Sequence, residues 1–212
     1  MYPVMIQMKH RPCLVAGGGA VALRKIRTLL EEGAAVTVIA PDPCDEVRML
    51  SRKGLLWLKE RALCEEDCKG YALVITATGE KEAALMAAGM ASREGFLYNA
   101  ADFPDLGNCF IPARIRRGHL MVTVSTDGRS PAVAAAVKRW LDETIPDSFA
   151  AWLDRVAVIR EEIKKEKNNA RERQIFWEHA LGKPVMELVA MGKLDEAEEV
   201  VRFGIGSFRD ES

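Results

Sequence analysis

Three consecutive glycines, Gly17 to Gly19, set between an apolar run and an amphipathic one, constrain this chain more than any other feature. Cys13 to Ala16 reads as a short buried strand, and Val21 to about Glu32 reads as a helix that Gly33 terminates. Gly17, Gly19 and Ala22 match the spacing G-x-G-x-x-G/A, in which each small residue has its own duty. Gly17 makes the turn, Gly19 lets backbone approach a pyrophosphate, and Ala22 lets the helix lie close on the strand. The first amides of such a helix face the phosphates, and the helix dipole favours their charge. Glycine-rich turns are often plain loops, but here a second strand, Ala35 to Ala40, follows at the distance of a βαβ unit. Gly17, Gly18 and Gly19 are therefore read as a dinucleotide-phosphate turn.

The strands and helices that follow extend this start into an α/β fold. Pro41 stops the second strand, Asp45 to Lys53 reads as a polar helix, and Leu55 to Lys59 as a weaker strand. Ala72 to Thr78 is a continuous apolar run, as expected of a strand covered on both faces of a parallel sheet. An alanine-rich helix from Glu80 to Arg93 and a fifth strand, Phe96 to Asn99, complete a Rossmann-type doubly wound parallel sheet over residues 1–107. Tyr2 to Ile6 reads as a short edge segment. Beyond residue 107 the pattern changes. Phe110–Ile115 and Leu120–Ser125, joined by Arg116 to His119, form a hairpin, and Pro131 starts a helix to about Glu143, giving a small α+β segment over residues 108–145. Residues 146–212 read as a helical domain, with helices at about Phe149–Lys167, Ala170–Ala180, Pro184–Met191 and Leu194–Val201. The hairpin and its helix carry Phe110, Ile111, Leu120, Val122, Val124, Val133, Val137, Trp140 and Leu141, which need a partner surface, so a homodimer formed through residues 108–145 is expected.

Composition narrows the partners. Thirty basic and thirty-one acidic residues leave a formal charge of -1, which supplies no overall attraction to nucleic acid or an anionic membrane. Met1 to Pro12 is too short and polar for a signal peptide, and no apolar run reaches the length of a membrane span, so a cytoplasmic protein is expected. Five scattered cysteines suit a reducing compartment. Cys64 and Cys68 could share a helix face, but a C-x3-C pair without nearby histidines is a poor metal signal, and the three histidines are not at ligand spacing. No metal ligand is assigned.

Ligands of open α/β sheets lie beyond the carboxyl ends of the strands, where Thr76, Ala77, Thr78, Asn99 and Asp102 fall. They would border the nicotinamide end of the cofactor. There Asp102 could take the proton lost when a carbon–hydrogen bond gives up a hydride, or it could simply cap a turn before Pro104. Asp42 has two readings as well. A ribose-binding acid normally ends the second strand itself, and here Pro41 intervenes, so Asp42 also reads as a helix cap. Ala40 to Pro43 offers no arginine for a 2′-phosphate, so NAD is expected over NADP.

Gly17-Gly18-Gly19-Ala20-Val21-Ala22 with Arg24-Lys25, Val36 to Pro41, Asn99 with Asp102 and Pro104, Phe110 to Ala113, and Ser125 to Pro131 together resemble the precorrin-2 dehydrogenase and sirohydrochlorin ferrochelatase family of sirohaem biosynthesis. The match spans about 140 residues in order and spacing. The helical tail is similar only in length and composition, and the chain is similar to the stand-alone form of the family. The resemblance implies a homodimeric oxidoreductase that uses NAD to convert precorrin-2, a tetrapyrrole, to sirohydrochlorin in a cleft between the nucleotide domain and the hairpin segment. In some relatives ferrous iron insertion follows. It further implies that Ala20 and Val21 touch the cofactor through backbone groups, that Pro41 and Asp42 lie near its adenosine end, and that Asp102 is the catalytic aspartate. A substrate with eight carboxylates, which is what this resemblance implies, needs donors. Arg114, Arg116, Arg117, Arg129, Lys138 and Arg139 cluster in the segment after the nucleotide domain, although solvated surface explains most arginines. Arg114 and the loop residues Ser125, Thr126, Gly128 and Ser130 are the candidate substrate contacts. The same loop is also a plain N-capping turn with Ser130 as the cap before Pro131. An NAD-sensing regulatory module without catalysis is the alternative reading; it would need the glycine turn but neither the Asn99–Asp102 stretch nor this loop.

Overall fold

In the computed structural model, which describes residues 1–166 and 169–207, the chain divides into two units, Met1–Ile111 and Pro112–Ser212. The expected helical domain extends past these limits, so Lys167, Asn168 and residues 208–212 of that reading lie outside the described residues.

In the first unit, five strands form one parallel sheet: β1 (Pro12–Ala16), β2 (Ala35–Ile39), β3 (Trp57–Lys59), β4 (Leu73–Thr76) and β5 (Leu97–Ala100). Their order is β3-β2-β1-β4-β5, so the chain reverses its direction of travel across the sheet between β1 and β4. That is the switch point at which ligands of such sheets bind. The helices α1 (Ala20–Glu31), α2 (Asp45–Arg52) and α3 (Lys81–Glu94) cover the two faces. Alternation along β1 sorts the core. Cys13 and Val15 join Val36, Val38 and Ile75 against Ala22, Ile26 and Leu29 of α1, whereas Leu14 joins Val74 and Tyr98 against Ala87, Met90 and Ala91 of α3. Burial of strand residues on both faces is why these strands read as unbroken apolar runs. The link between β3 and β4 turns on Asp67, which is buried and receives both Arg61 nitrogens at 2.6 Å. Arg61 holds this carboxyl well below the usual carboxylate range.

Tyr2 to Ile6 forms no strand. Pro3 lacks an amide donor, and Tyr2, Val4, Met5 and Ile6 are all exposed, so the segment has no alternating buried face to pair on a sheet edge. The fourth strand is also shorter than its apolar run, ending at Thr76, because the backbone turns at Gly79.

In the second unit, β6 (Ala113–Arg117) and β7 (Leu120–Val124) pair antiparallel around a two-residue turn at Gly118 and His119. Helix α4 (Pro131–Thr144) follows. Arg117 ties the hairpin to the end of α4, donating to the carbonyls of Ile145 (2.9 Å) and Asp142 (2.8 Å). Helices α5 (Ser148–Glu166), α6 (Ala170–Ala180), α7 (Lys183–Ala190) and α8 (Leu194–Ser207) enclose a core of Trp152, Ile159, Ile163, Phe176, Val185, Val189, Ala197 and Val201. The hairpin segment expected at 108–145 thus shares this unit with the helices, apart from its first four residues, 108–111. Among the described residues no helix is long and apolar enough to cross a membrane.

Candidate functional site

The glycine turn sits at the β1–β4 switch point. Gly17 has φ +119°, and a Cβ there would lie 2.2 Å from the Ala77 carbonyl oxygen, so only glycine fits. Its N–H donates to Ile39 O (2.9 Å) while Ala77 N–H donates to Ala16 O (2.8 Å), which stitches the turn to β2 and β4. At Gly18 the constraint is close approach: a Cβ would be 2.4 Å from Pro43 Cα, and Cys44 N–H donates to Gly18 O at 3.0 Å. Gly19 differs from both. It is the N-cap of α1, gives no side-chain cap, and a Cβ there meets nothing within 4 Å. Gly19, Ala20 and Val21 are exposed, and the first turn of α1 contains no acidic residue. Open space before an uncapped helix start fits a pyrophosphate. Ala22 is fully buried, as close helix-on-strand packing demands.

Past β2, Pro41 and Asp42 are exposed and Pro43 is buried against the turn. Asp42 is not an isolated acid: Arg48 of α2 donates to it at 3.2 Å. No arginine was expected here, because Arg48 is six residues downstream, and it is the first turns of α2 that bring it back.

At the β4–β5 end the named residues divide. Thr76 is buried, and its hydroxyl lies 2.8 Å from Tyr98 OH, which donates to Ala84 O (3.0 Å); its side chain belongs to the core. Ala77 and Thr78 are half-buried, and Thr78 Oγ1 accepts from Glu80 N. Asp102 is exposed, and its Oδ2 accepts Gly79 N–H at 2.8 Å. The carboxylate therefore ties the end of β5 to the loop after β4 rather than capping its own turn. Asn99 is nearly buried and both ends of its amide are engaged: Oδ1 accepts from Lys25 Nζ (3.0 Å) and Nδ2 donates to Cys109 O (2.9 Å).

Lys25, quoted above only within the resemblance, has a place at this end that sequence reasoning missed. Burial pushes its pKa below the ordinary lysine value, helped by Arg24 and opposed by Asp102 and the Cys109 thiol. A signal existed: Lys25 lies three residues after Ala22 and one before Ile26, on the flank of the stripe that α1 buries. Cys13, Cys64 and Cys68 are not activated thiols. Burial pushes the Cys13 and Cys68 thiols up to about 11, and Cys64 Sγ donates to Asp67 Oδ2 at 2.9 Å. Among the described residues there is no group of three or more His, Cys, Asp or Glu arranged to hold a metal.

In the second unit, the loop before α4 is closed on itself. Ser125 Oγ accepts Asp127 N–H (3.3 Å), and Thr126 Oγ1 accepts Ser130 N–H (3.2 Å) while donating to Ser130 O (3.1 Å). Ser130 Oγ caps α4 through Val133 N–H at 3.2 Å. Asp127 and Gly128 take left-handed conformations, and Gly128 is exposed with open space around it. Arg114 is half-buried on β6.

A family model for NAD(P)-binding matches residues 4–113, and one described as the sirohaem synthase dimerisation region matches residues 148–202. The second match falls on α5–α8, whereas the sequence reading assigned dimerisation to residues 108–145. Siroheme synthases of Methylococcus capsulatus (36% identical over 199 residues, 94% of this chain) and Nitrosococcus oceani (32% over 196 residues, 92%) are similar. In each case the match spans 42% of the relative's length. Among solved structures, "SirC, precorrin-2 dehydrogenase" matches with a TM-score of 0.79 and 28% identity, covering 97% of this chain and 100% of that one.

Proposed function

Because this chain belongs to the NAD(P)-binding precorrin-2 dehydrogenase and sirohaem synthase family, we propose that it oxidises precorrin-2 to sirohydrochlorin with NAD. One observation carries the choice of substrate: the likeness to SirC runs the length of both chains and so includes more than a shared nucleotide fold. The alternative of a non-catalytic NAD sensor has no such support.

The reaction removes two electrons and two protons in all, as a hydride and a proton. When bound, NAD supplies the hydride acceptor. The chain's own residues do the rest. Gly19, Ala20 and Val21 present backbone to the pyrophosphate, and Gly17 and Gly18 hold that backbone in place. Ala77, Thr78 and Asn99 border the nicotinamide end; Asn99 does so as a residue braced by Lys25 and Cys109 O. Thr76 serves as a core support. Asp102, with one oxygen anchored on Gly79 N–H, uses the other to take the substrate proton and release it to solvent. Arg114, the backbone at Ser125, Thr126, Gly128 and Ser130, and the Ser125 and Ser130 hydroxyls, which accept N–H groups within the loop and keep their own O–H to donate, are proposed to receive substrate carboxylates; the Thr126 O–H is already given to Ser130 O. We further infer a cytoplasmic homodimer. Val133 and Trp140 on α4 and Val158 and Val200 on the helices are large exposed apolar side chains that a second copy would cover.

Anaerobic incubation with precorrin-2 and NAD is the test. Formation of sirohydrochlorin with one NADH per turnover is the expected outcome, and NAD binding without turnover would favour the sensor. The same incubation supplied with ferrous iron reads out whether the product proceeds to sirohaem.

A further inference from the structure

We propose that Arg48, held by Asp42, Asp45 and Glu60, is the element that restricts this chain to a dinucleotide without a 2′-phosphate, an inference that rests on the glycine turn being a dinucleotide site. The position follows from the packing. The Ala40–Cys44 loop is pinned to the turn through Cys44 N–H and Gly18 O, and Ala40 N–H donates to Lys59 O at 3.2 Å, which brings the end of β3 alongside. The ribose next to the adenine of a dinucleotide laid across this edge reaches the end of β2.

A 2′-phosphate is recognised there by a guanidinium offering two parallel N–H groups. Every nitrogen of the Arg48 guanidinium already faces a carboxylate from a different place. Nε donates to Glu60 Oε2 after β3 (3.2 Å), and Nη2 donates to Asp42 Oδ1 after β2 (3.2 Å). Nη1 lies 3.6 Å from Asp45 Oδ1 in the first turn of α2. Arg48 is 30% exposed, while Asp42 and Asp45 are fully or almost fully so, and a phosphate arriving from solvent meets the carboxylates first. Three carboxylates against one guanidinium leave the cluster negative. The arginine needed for a 2′-phosphate is thus present but occupied, and Asp42 is held where a ribose 2′-hydroxyl can donate to it.

The test uses calorimetric titration of the whole chain with NAD and with NADP, independent of turnover. Asp45→Asn with Glu60→Gln removes two of the holding charges and leaves Asp42. NADP affinity should rise about tenfold or more, with NAD affinity within about twofold of the parent. Adding Arg48→Ala should abolish the gain, and raised salt should shrink it. A parent chain that binds both cofactors equally, a double variant with no gain, or a gain that survives without Arg48 would each overturn the proposal. Failure of the parent to bind NAD at all would instead sink the dinucleotide reading beneath it, and the selectivity element with it.

Discussion

At the β1 end of the sheet's carboxyl edge, position is set by main chain: Gly17 against Ala77 O, Gly18 against Pro43, Cys44 N–H on Gly18 O. At the β4–β5 end it is set by side chains: Asp102 on Gly79 N–H, and Lys25 on Asn99, which reaches on to Cys109 O. A backbone cradle cannot be retuned by exchanging one side chain for a similar one; it holds or it collapses. A side-chain network can lose one function and keep its shape. Binding and chemistry should therefore separate along this edge, with substitutions at the first end acting on cofactor affinity and those at the second on turnover.

The largest effect tests the first half of that contrast. Gly17→Val puts a branched side chain at φ +119° and a Cβ 2.2 Å from a carbonyl oxygen. The β1–β4 stitching has to give way. Calorimetry should find no NAD binding, and the thermal midpoint should fall by about 10 °C. A well-folded variant with parental affinity would mean that the turn is not the cradle described.

Next in size is Asp102→Asn, which should break chemistry alone. Asparagine keeps an oxygen for Gly79 N–H but cannot take a proton, so turnover should fall about 100-fold or more while the NAD dissociation constant stays within about twofold. Turnover within a few-fold of the parent would leave Asp102 as nothing more than the tie between two loops. Given sirohydrochlorin and ferrous iron, the same variant also shows whether metal insertion shares the carboxylate.

Gly19→Val sharpens the comparison within the first end. Because a Cβ at Gly19 meets nothing within 4 Å, the fold tolerates it apart from a cap preference of about 1 kcal/mol. The bulk then obstructs only what approaches from outside. NAD affinity should weaken about tenfold or more with little change in melting. Parental affinity would place the pyrophosphate elsewhere.

The same contrast explains what could be read from the chain before its structure. Gly17 and Gly18 were legible because main-chain sterics leave one residue type, and one-residue answers appear in a sequence. The parallel sheet was legible because strands buried on both faces become apolar runs. Partnerships between distant side chains leave no such trace. Lys25 and Asn99 are 74 positions apart, and Gly79 and Asp102 are 23 apart. Thr76 looked like a residue at a strand's open end; only Tyr98 from the neighbouring strand shows that its hydroxyl turns inward. Arg48 was passed over because it is not beside Asp42 in the chain, although the loop after β2 and the first turn of α2 return it there. Tyr2–Ile6, read as a short edge segment, forms no strand, because it lacks the alternation a half-buried strand requires.

The smallest expected effect is at Lys25, and its sign separates a working charge from a structural one. Burial lowers the Lys25 pKa from 10.5, so in the folded protein the ammonium gives up its proton before an ordinary lysine would. The groups facing it are Arg24, Asp102 and the Cys109 thiol. If its charge supports the Asn99–Asp102 end, turnover should decline on the alkaline side as pH rises through the lowered value. Stability moves the other way. With the folded pKa depressed, the unfolded chain holds more protons at this site between that value and 10.5, so Lys25's contribution to stability increases with pH across the window. A loss of activity there, without a matching loss of thermal midpoint attributable to this site, is local titration and not alkaline unfolding. Lys25→Met should lower turnover about fivefold and flatten that limb. Lys25→Arg should keep most activity and move the limb to higher pH, while Cys109→Ser, which removes a charge that raises the Lys25 pKa, should keep the limb and move it slightly to lower pH. If Met matches the parent at every pH, the lysine merely fills a hydrogen bond to Asn99, and the β4–β5 end depends on Asp102 alone.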